Sequence, residues 1–443
     1  MTAPMALLSG TTLDQYFILA LGLVVAALGF VVLRQSPKLA LGFALVVLCF
    51  VPIWVGIRVG PNGNLFLPIA SGVAVLVSAA IVRSRGFRFS VVDALLAFLI
   101  LVAASALFIG NESVALAFFI TPFSYFVSGY VLSRVASHRI DVTWIYGAVS
   151  VIFSAVAVMA IIEFTTGWNP FILLKVNNSL FGEWGELQER GGVLRAEGAF
   201  GHSIALGSCL AMAIPLSLAS RFRFSLRVAT VIVIFVATVL TFSRIGIVGA
   251  ALGLVLSVVF LKDVGTPVMR ATLGVAAVVT AVTLYPAVAR VFDEAGDEAS
   301  RSAEYRGDLL PLLGDMNLIG VSDLVHQTSN GRLYFRNFES IDSQLILTGL
   351  TNGTIALAGI VVTLVGAVIL SLRGKANAAT IAVVAQIPAF TSVALITQYS
   401  IFLWFVIGLA AAGQVRKAAE PSEPPAQFAL KQRGWNGQAI GQH

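Results

Sequence analysis

Three arginines and one aspartate carry the residue types and settings that suit chemistry in this chain. Arg195 lies in LRAEGAFGHSIALG, just ahead of an apolar run and followed by three glycines and His202. Its guanidinium offers several donors in a fork that fits a phosphate or a carboxylate. The same position also suits an arginine that snorkels to the membrane surface and pairs with Glu197. Arg244 lies in VLTFSRIGIVG, between two apolar stretches with almost no loop around it. A charge so close to hydrocarbon usually faces a protein interior or a water-filled cavity. SRSAEYRGDLLPLLGDMNLIG places Arg301 and Arg306 on an amphipathic helix, where five residues of separation keep them off a shared face. Asp342 opens the next apolar helix in FESIDSQLILTGLTNGTIALAG, beside Glu339 and Ser343. The helix N-terminus and nearby arginines favour its ionised form, although a plain N-cap is an equal reading.

The elements that must position these residues are membrane helices. The 443 residues are 58% hydrophobic and 11% charged, with a mean hydropathy of +0.92. Soluble domains carry about 25% charged residues. Runs of about 20 apolar residues cross a bilayer as helices, and the runs here are too long for barrel strands. Spans are expected at 16–33, 39–57, 65–82, 91–109, 114–132, 142–162, 202–220, 226–242, 245–261, 270–289, 343–371, 378–395 and 398–413. The expected fold is therefore all-α, a polytopic transmembrane helical bundle of about 12–13 helices. Most of the 28 Lys+Arg fall in alternate gaps, and most of the 22 Asp+Glu fall in the others. Basic loops stay cytoplasmic, which puts the N-terminus outside, the C-terminus inside, and Arg195, Arg244 and Arg306 on the outer face.

This order divides the chain into N-terminal transmembrane helices (1–162), an extracytoplasmic loop (163–201), and helices carrying the Arg244 hairpin (202–289). A large extracytoplasmic loop (290–342), C-terminal helices (343–413) and a disordered cytoplasmic tail (414–443) complete it. The first apolar run lacks a basic flank and a cleavage site, and so reads as a retained helix. Both long loops point to extracytoplasmic work. Cys49 and Cys209 lie in apolar runs and read as buried, inert thiols. The acidic stretch Asp293, Glu294, Asp297 and Glu298 lacks the spacing of a calcium loop and reads as a solvated helix face. No Walker motif, nucleotide fingerprint or GxSxG is present. The net charge of +6 follows the inside bias and implies no nucleic-acid partner.

Three segments together resemble the superfamily of O-antigen ligases and polysaccharide polymerases: RAEGAFGHSIALGSCLAMAIPLSLA (195–219), VLTFSRIGIVGAALGLVL (239–256), and the loop ending SIDSQLILTGLTNGTIAL (301–357). The resemblance covers most of 190–370, and the N-terminal third shares only hydropathy. It implies a bacterial inner-membrane glycosyltransferase that works on undecaprenyl-diphosphate-linked glycans without metal or other cofactor. Arg195, Arg244 and Arg306 would hold the lipid diphosphate, with Arg301 the weaker match to the loop arginine. Many ligases carry a His-Asn pair where this chain has Asp342-Ser343, and the SID-x-x-L form is closer to exopolysaccharide or capsular polymerases. The implied partners are a lipid-linked oligosaccharide donor, a glycan acceptor and membrane lipid, with a flippase and a chain-length regulator as associated proteins. The rival expectation is a transporter or flippase, which would bury charge at mid-membrane in several helices.

Overall fold

The structure, a computed structural model, describes residues 29–59, 65–83, 85–108, 112–261, 265–294, 304–327 and 333–419. Most of the first expected span, Arg301, and the tail beyond 419 lie outside the described residues. The chain folds as an all-α helical bundle. After a described helical stretch at 29–35 (α1) come α2 (Pro37–Phe50), α3 (Ile69–Ile81), α4 (Val91–Ser105) and α5 (Glu112–Phe126). A π turn at Val127–Val131 carries α5 into α6 (Leu132–Arg139), followed by α7 (Val142–Thr166) and the short α8 (Ser179–Trp184). Then follow α9 (Ser203–Leu218), α10 (Phe224–Leu240), α11 (Arg244–Phe260), α12 (Pro267–Glu294) and a helical turn at 304–308 (α13). The chain closes with α14 (Gln344–Asn352), α15 (Thr354–Leu372), α16 (Ala378–Val384), α17 (Ile387–Ser392) and α18 (Thr397–Ala419). Among the described residues four stretches, Val91–Phe108, Val142–Thr166, Thr354–Leu372 and Thr397–Val415, are long and apolar enough to cross a membrane, and six apolar helices are shorter.

The middle of the bundle is α9, buried at every position except Ile204. It packs against α7, α10, α11, α16 and α18. Small residues make this possible, because helices in lipid associate by close van der Waals fit rather than by hydrophobic exclusion. A Cβ added at Gly246 of α11 would lie 3.0 Å from the Cα of Gly207 in α9. One turn further on, a Cβ at Gly249 would lie 3.1 Å from Nε2 of Gln386. These glycines set the height and rotation of α11 and therefore of Arg244, its first residue.

The two ends of the bundle differ. One holds the basic connections: Arg221 pairs with Asp141, and Arg134 pairs with Asp93 at 2.7 Å. Asp93 also closes a capping box with Ser90 and accepts a hydrogen bond from Tyr130. The other, the loop end, holds both long loops. The second of these is a small folded cap. Leu309, Leu312, Phe335 and Ile341 cluster with Ile346 and Leu350 of α14, next to a β-hairpin of Val325–Gln327 and Leu333–Phe335.

Several expected spans are corrected. The run at 39–57 stops as helix at Phe50, because Val51 turns extended ahead of Pro52. A β-hairpin, Gly56–Val59 with Leu65–Pro68, then occupies the start of the 65–82 span. The run at 114–132 continues as helix to Arg139. The run at 343–371 is two helices, broken at Gly353 with φ 91°, where a Cβ would lie 2.6 Å from the Leu318 carbonyl oxygen. The run at 378–395 is α16 and α17 with irregular backbone after Ser392. The tail expected from 414 is helical to Ala419.

Replacing Gly246 with Leu should force α9 and α11 apart and lower stability by about 1–3 kcal/mol. Thermal unfolding in detergent reads this, with Gly274→Leu, where the added Cβ meets nothing within 4 Å, as the control that stays unchanged.

Candidate functional site at the loop end

The α10–α11 turn that leads to Arg244 is held from below by the first loop. Arg195 donates from Nε to the Thr241 carbonyl at 3.0 Å, and Arg190 donates from Nη1 to the Phe242 carbonyl at 2.9 Å. The Ala196 amide bonds the Leu240 carbonyl at 3.3 Å. Phe242 adopts φ 47°, an uncommon region for a non-glycine residue, and these bonds hold it there. Ser243 caps α11 through the Gly246 amide, which leaves Arg244 exposed in the first turn. A cation at that position adds to the positive end of the helix dipole, an arrangement that favours an anion nearby. Arg195 itself is buried, which excludes the snorkelling reading.

A layer of acids and amides lies behind the arginines. Glu163 accepts from the Gly198 amide at 2.8 Å, the Asn169 side chain at 2.8 Å and the Glu197 amide at 3.2 Å. Glu197 accepts from the Gln188 amide at 3.2 Å. Burial, reinforced by Glu163, pushes the Glu197 carboxyl up to about 8 against the pull of the Gln188 amide and Arg195. Burial together with Arg195 and Arg190 pushes His202 down to about 4, so the imidazole is neutral. Its Nδ1 accepts from the Ile204 amide, making His202 the N-cap of α9. That is a structural role, with the ring edge-on to Trp184 at 5.6 Å.

Arg306 and the start of α14, which follows Asp342 and Ser343, both reach the C-terminal end of α17. Arg306 donates from Nε to the Ser392 carbonyl at 3.2 Å. The Gln344 amide bonds the Val393 carbonyl at 3.0 Å, and the Leu395 amide bonds Oε1 of Gln344 at 2.9 Å. Ser343, not Asp342, is the N-cap of α14. Asp342 is half-buried and accepts from the Ser340 hydroxyl at 3.0 Å. Tyr305 donates to the Ser340 carbonyl, and burial with the nearby Asp342 raises its phenol. Glu339 is exposed and accepts from the Tyr334 hydroxyl at 2.9 Å.

The two halves share one element. α17 packs on α11 on one side and on α14 on the other, with Arg306 fastened to its C-terminal end. Three of the expected residues, Arg195, Arg244 and Arg306, thus surround the turn and break that build this end of the bundle. Arg190, Glu163, Asn169 and Gln344 belong to the same constellation and were not singled out from the sequence. Glu163 had a signal, a lone acid in the last turn of an apolar helix, but it fell just beyond the expected end of that span at 162. Gln344 had none, since its role depends on a strandlike segment 51 residues later. Among the described residues no three His, Cys, Asp or Glu side chains gather as a metal site.

Because the folded state holds the Glu197 proton up to about 8 while the free carboxyl releases it near 4.5, its burial favours the fold most below 4.5. That contribution fades as pH rises between those two values. The melting temperature in detergent should therefore fall across that interval, and Glu197→Gln should flatten the fall. An identical slope in the variant would remove Glu197 from the account.

Comparison of the chain with protein-family models, with curated proteins and with solved structures finds no match.

Proposed function

We propose that the protein is a membrane glycosyltransferase that joins undecaprenyl-diphosphate-linked glycans at the extracytoplasmic face of the bacterial cytoplasmic membrane, as a polymerase rather than a ligase. The observation that carries this reading is the exposed Arg244 on a turn that Arg190 and Arg195 clamp, with Arg306 and Asp342 joined to the same neighbourhood through α17. A diphosphate leaving group carries charge on several oxygens, and fixed guanidiniums neutralise it without the cost of reorganising water. The acceptor hydroxyl attacks the anomeric carbon, its proton passes to the Asp342 carboxylate, and the bond from the anomeric carbon to the diphosphate oxygen breaks with inversion. Asp342 commits one oxygen to Ser340 and keeps the other for the acceptor. The carboxylate takes the place that a histidine base holds in the ligases, which favours the polymerase form of the reaction.

Reconstitution of the purified protein with a lipid-linked oligosaccharide tests this. Arg244→Ala and Asp342→Asn should each lower glycan transfer by about 10²–10³-fold, the loss that follows removal of one charge-stabilising donor or proton acceptor. Both variants should elute as the wild type does. Transfer at the wild-type rate in Arg244→Ala, or movement of the lipid across the bilayer with no new glycosidic bond, defeats the proposal, and the second result would instead indicate a flippase.

A further inference from the structure

Two cavities adjoin at the basic end, far from the arginines discussed above. The smaller, of about 230 Å³, is bounded by Gly86, Phe87, Arg88, Arg134, Ser137 and His138. The larger, of about 780 Å³, runs between α4, α15, α16 and α18 along apolar side chains that include Leu95, Val362, Leu370 and Ile407. Arg88 and Val415 border both. Together they form one slot with a basic head and an oily length. Phe89, Val91 and Val362 at its rim are 81%, 85% and 62% exposed, so the slot opens sideways to the surroundings of the bundle.

The head is built rather than incidental. Arg134 is buried, is matched by Asp93, lies 4.9 Å over the Phe87 ring, and donates to the Arg88 carbonyl at 2.8 Å. That bond fixes the backbone at Arg88. The Arg88 side chain is exposed and makes no hydrogen bond or ion pair among the described residues. A second groove, of about 470 Å³ between α2 and α7, differs in that its cations are engaged. Arg221 there pairs with Asp141, and Lys38 lies 5.7 Å over the Trp144 ring. Within the larger slot, a Cβ added at Gly366 meets nothing within 4 Å, so the wall beside α15 has open space.

We infer that this slot binds an anionic phospholipid, its phosphate on Arg88 and an acyl chain along α4, α15 and α18. An arginine fork suits a phosphate, and basic pockets between membrane helices on the cytoplasmic side recognise lipid head groups. The inference is independent of glycosyl transfer.

The full chain, purified in a mild detergent and washed with excess phosphatidylcholine, should retain phosphatidylglycerol in near-stoichiometric amount by native mass spectrometry. Arg88→Ala should lower that retention about fivefold, the factor one arginine at the membrane surface contributes towards anionic lipid. Gly366→Phe should lower it by filling the slot, while Gly72→Phe, on a helix away from it, should not. A benzophenone side chain at Val362 should label phospholipid. Equal retention in the wild type, Arg88→Ala and Gly366→Phe overturns the inference. So does labelling of residues 1–28 of the same chain in place of lipid.

Discussion

Backbone amides and carbonyls have no partner in hydrocarbon, so every departure from helix within a membrane bundle must be satisfied by protein. Much of this molecule follows from that constraint. The chain leaves helical geometry at the α10–α11 turn, at Gly353, and between α17 and α18, all gathered towards the loop end. At each place a side chain or a loop backbone closes the gap. Arg195 and Arg190 take the carbonyls of Thr241 and Phe242, Arg306 takes that of Ser392, and Gln344 takes the amide of Leu395. Gln398 bridges the carbonyls of Val51 and Ala199 at 3.1 and 2.8 Å and so ties the start of α18 to two other breaks. The loop backbone at Asn317 and Leu318 receives the first amides of α15 beyond Gly353.

The arginines therefore have a double character. Their Nε or first Nη atoms are scaffolding, and whatever they offer to a ligand is presented from a position the scaffold has already fixed. A flexible cation would lose side-chain freedom on binding a phosphate, whereas one tied at Nε has lost much of it on folding. Arg244 is exposed on the first turn of a helix whose height is set by glycine contacts with α9. The acids behind the loop matter for the same reason, since Glu163 gathers three donors from 169–198 and holds that loop against α7.

Composition and hydropathy made the helical class and its membrane setting legible, and α7, α9, α10 and α11 lie close to where the apolar runs place them. What hydropathy could not show is where an apolar run breaks. The segment 343–371 is uninterrupted by charge, yet a single glycine that accepts φ 91° splits it, because the Leu318 carbonyl approaches where any side chain would stand. Residues 378–395 read as one span because nothing local marks the irregular stretch, whose partners come from α14 and α13. Of the site, residue type and position pointed to the three arginines and Asp342, while Ser343 took the cap that the aspartate also suited. Nothing local marks Arg190 and Gln344, because their meaning lies in contacts 52 and 51 residues away.

The small hydrophobic cluster of the second loop has a consequence for how the protein is made. Leu309, Leu312, Phe335 and Ile341 have no sufficient core of their own and complete it with Ile346 and Leu350 of the helix that follows. Arg306 finds its carbonyl partner 86 residues later, at the end of α17. During translation the loop emerges with its apolar side chains unshielded and its arginine unfixed, and it must wait for α14 and α17. The apolar cluster can therefore close only once α14 is present, and the Arg306 contact only once α17 has followed it.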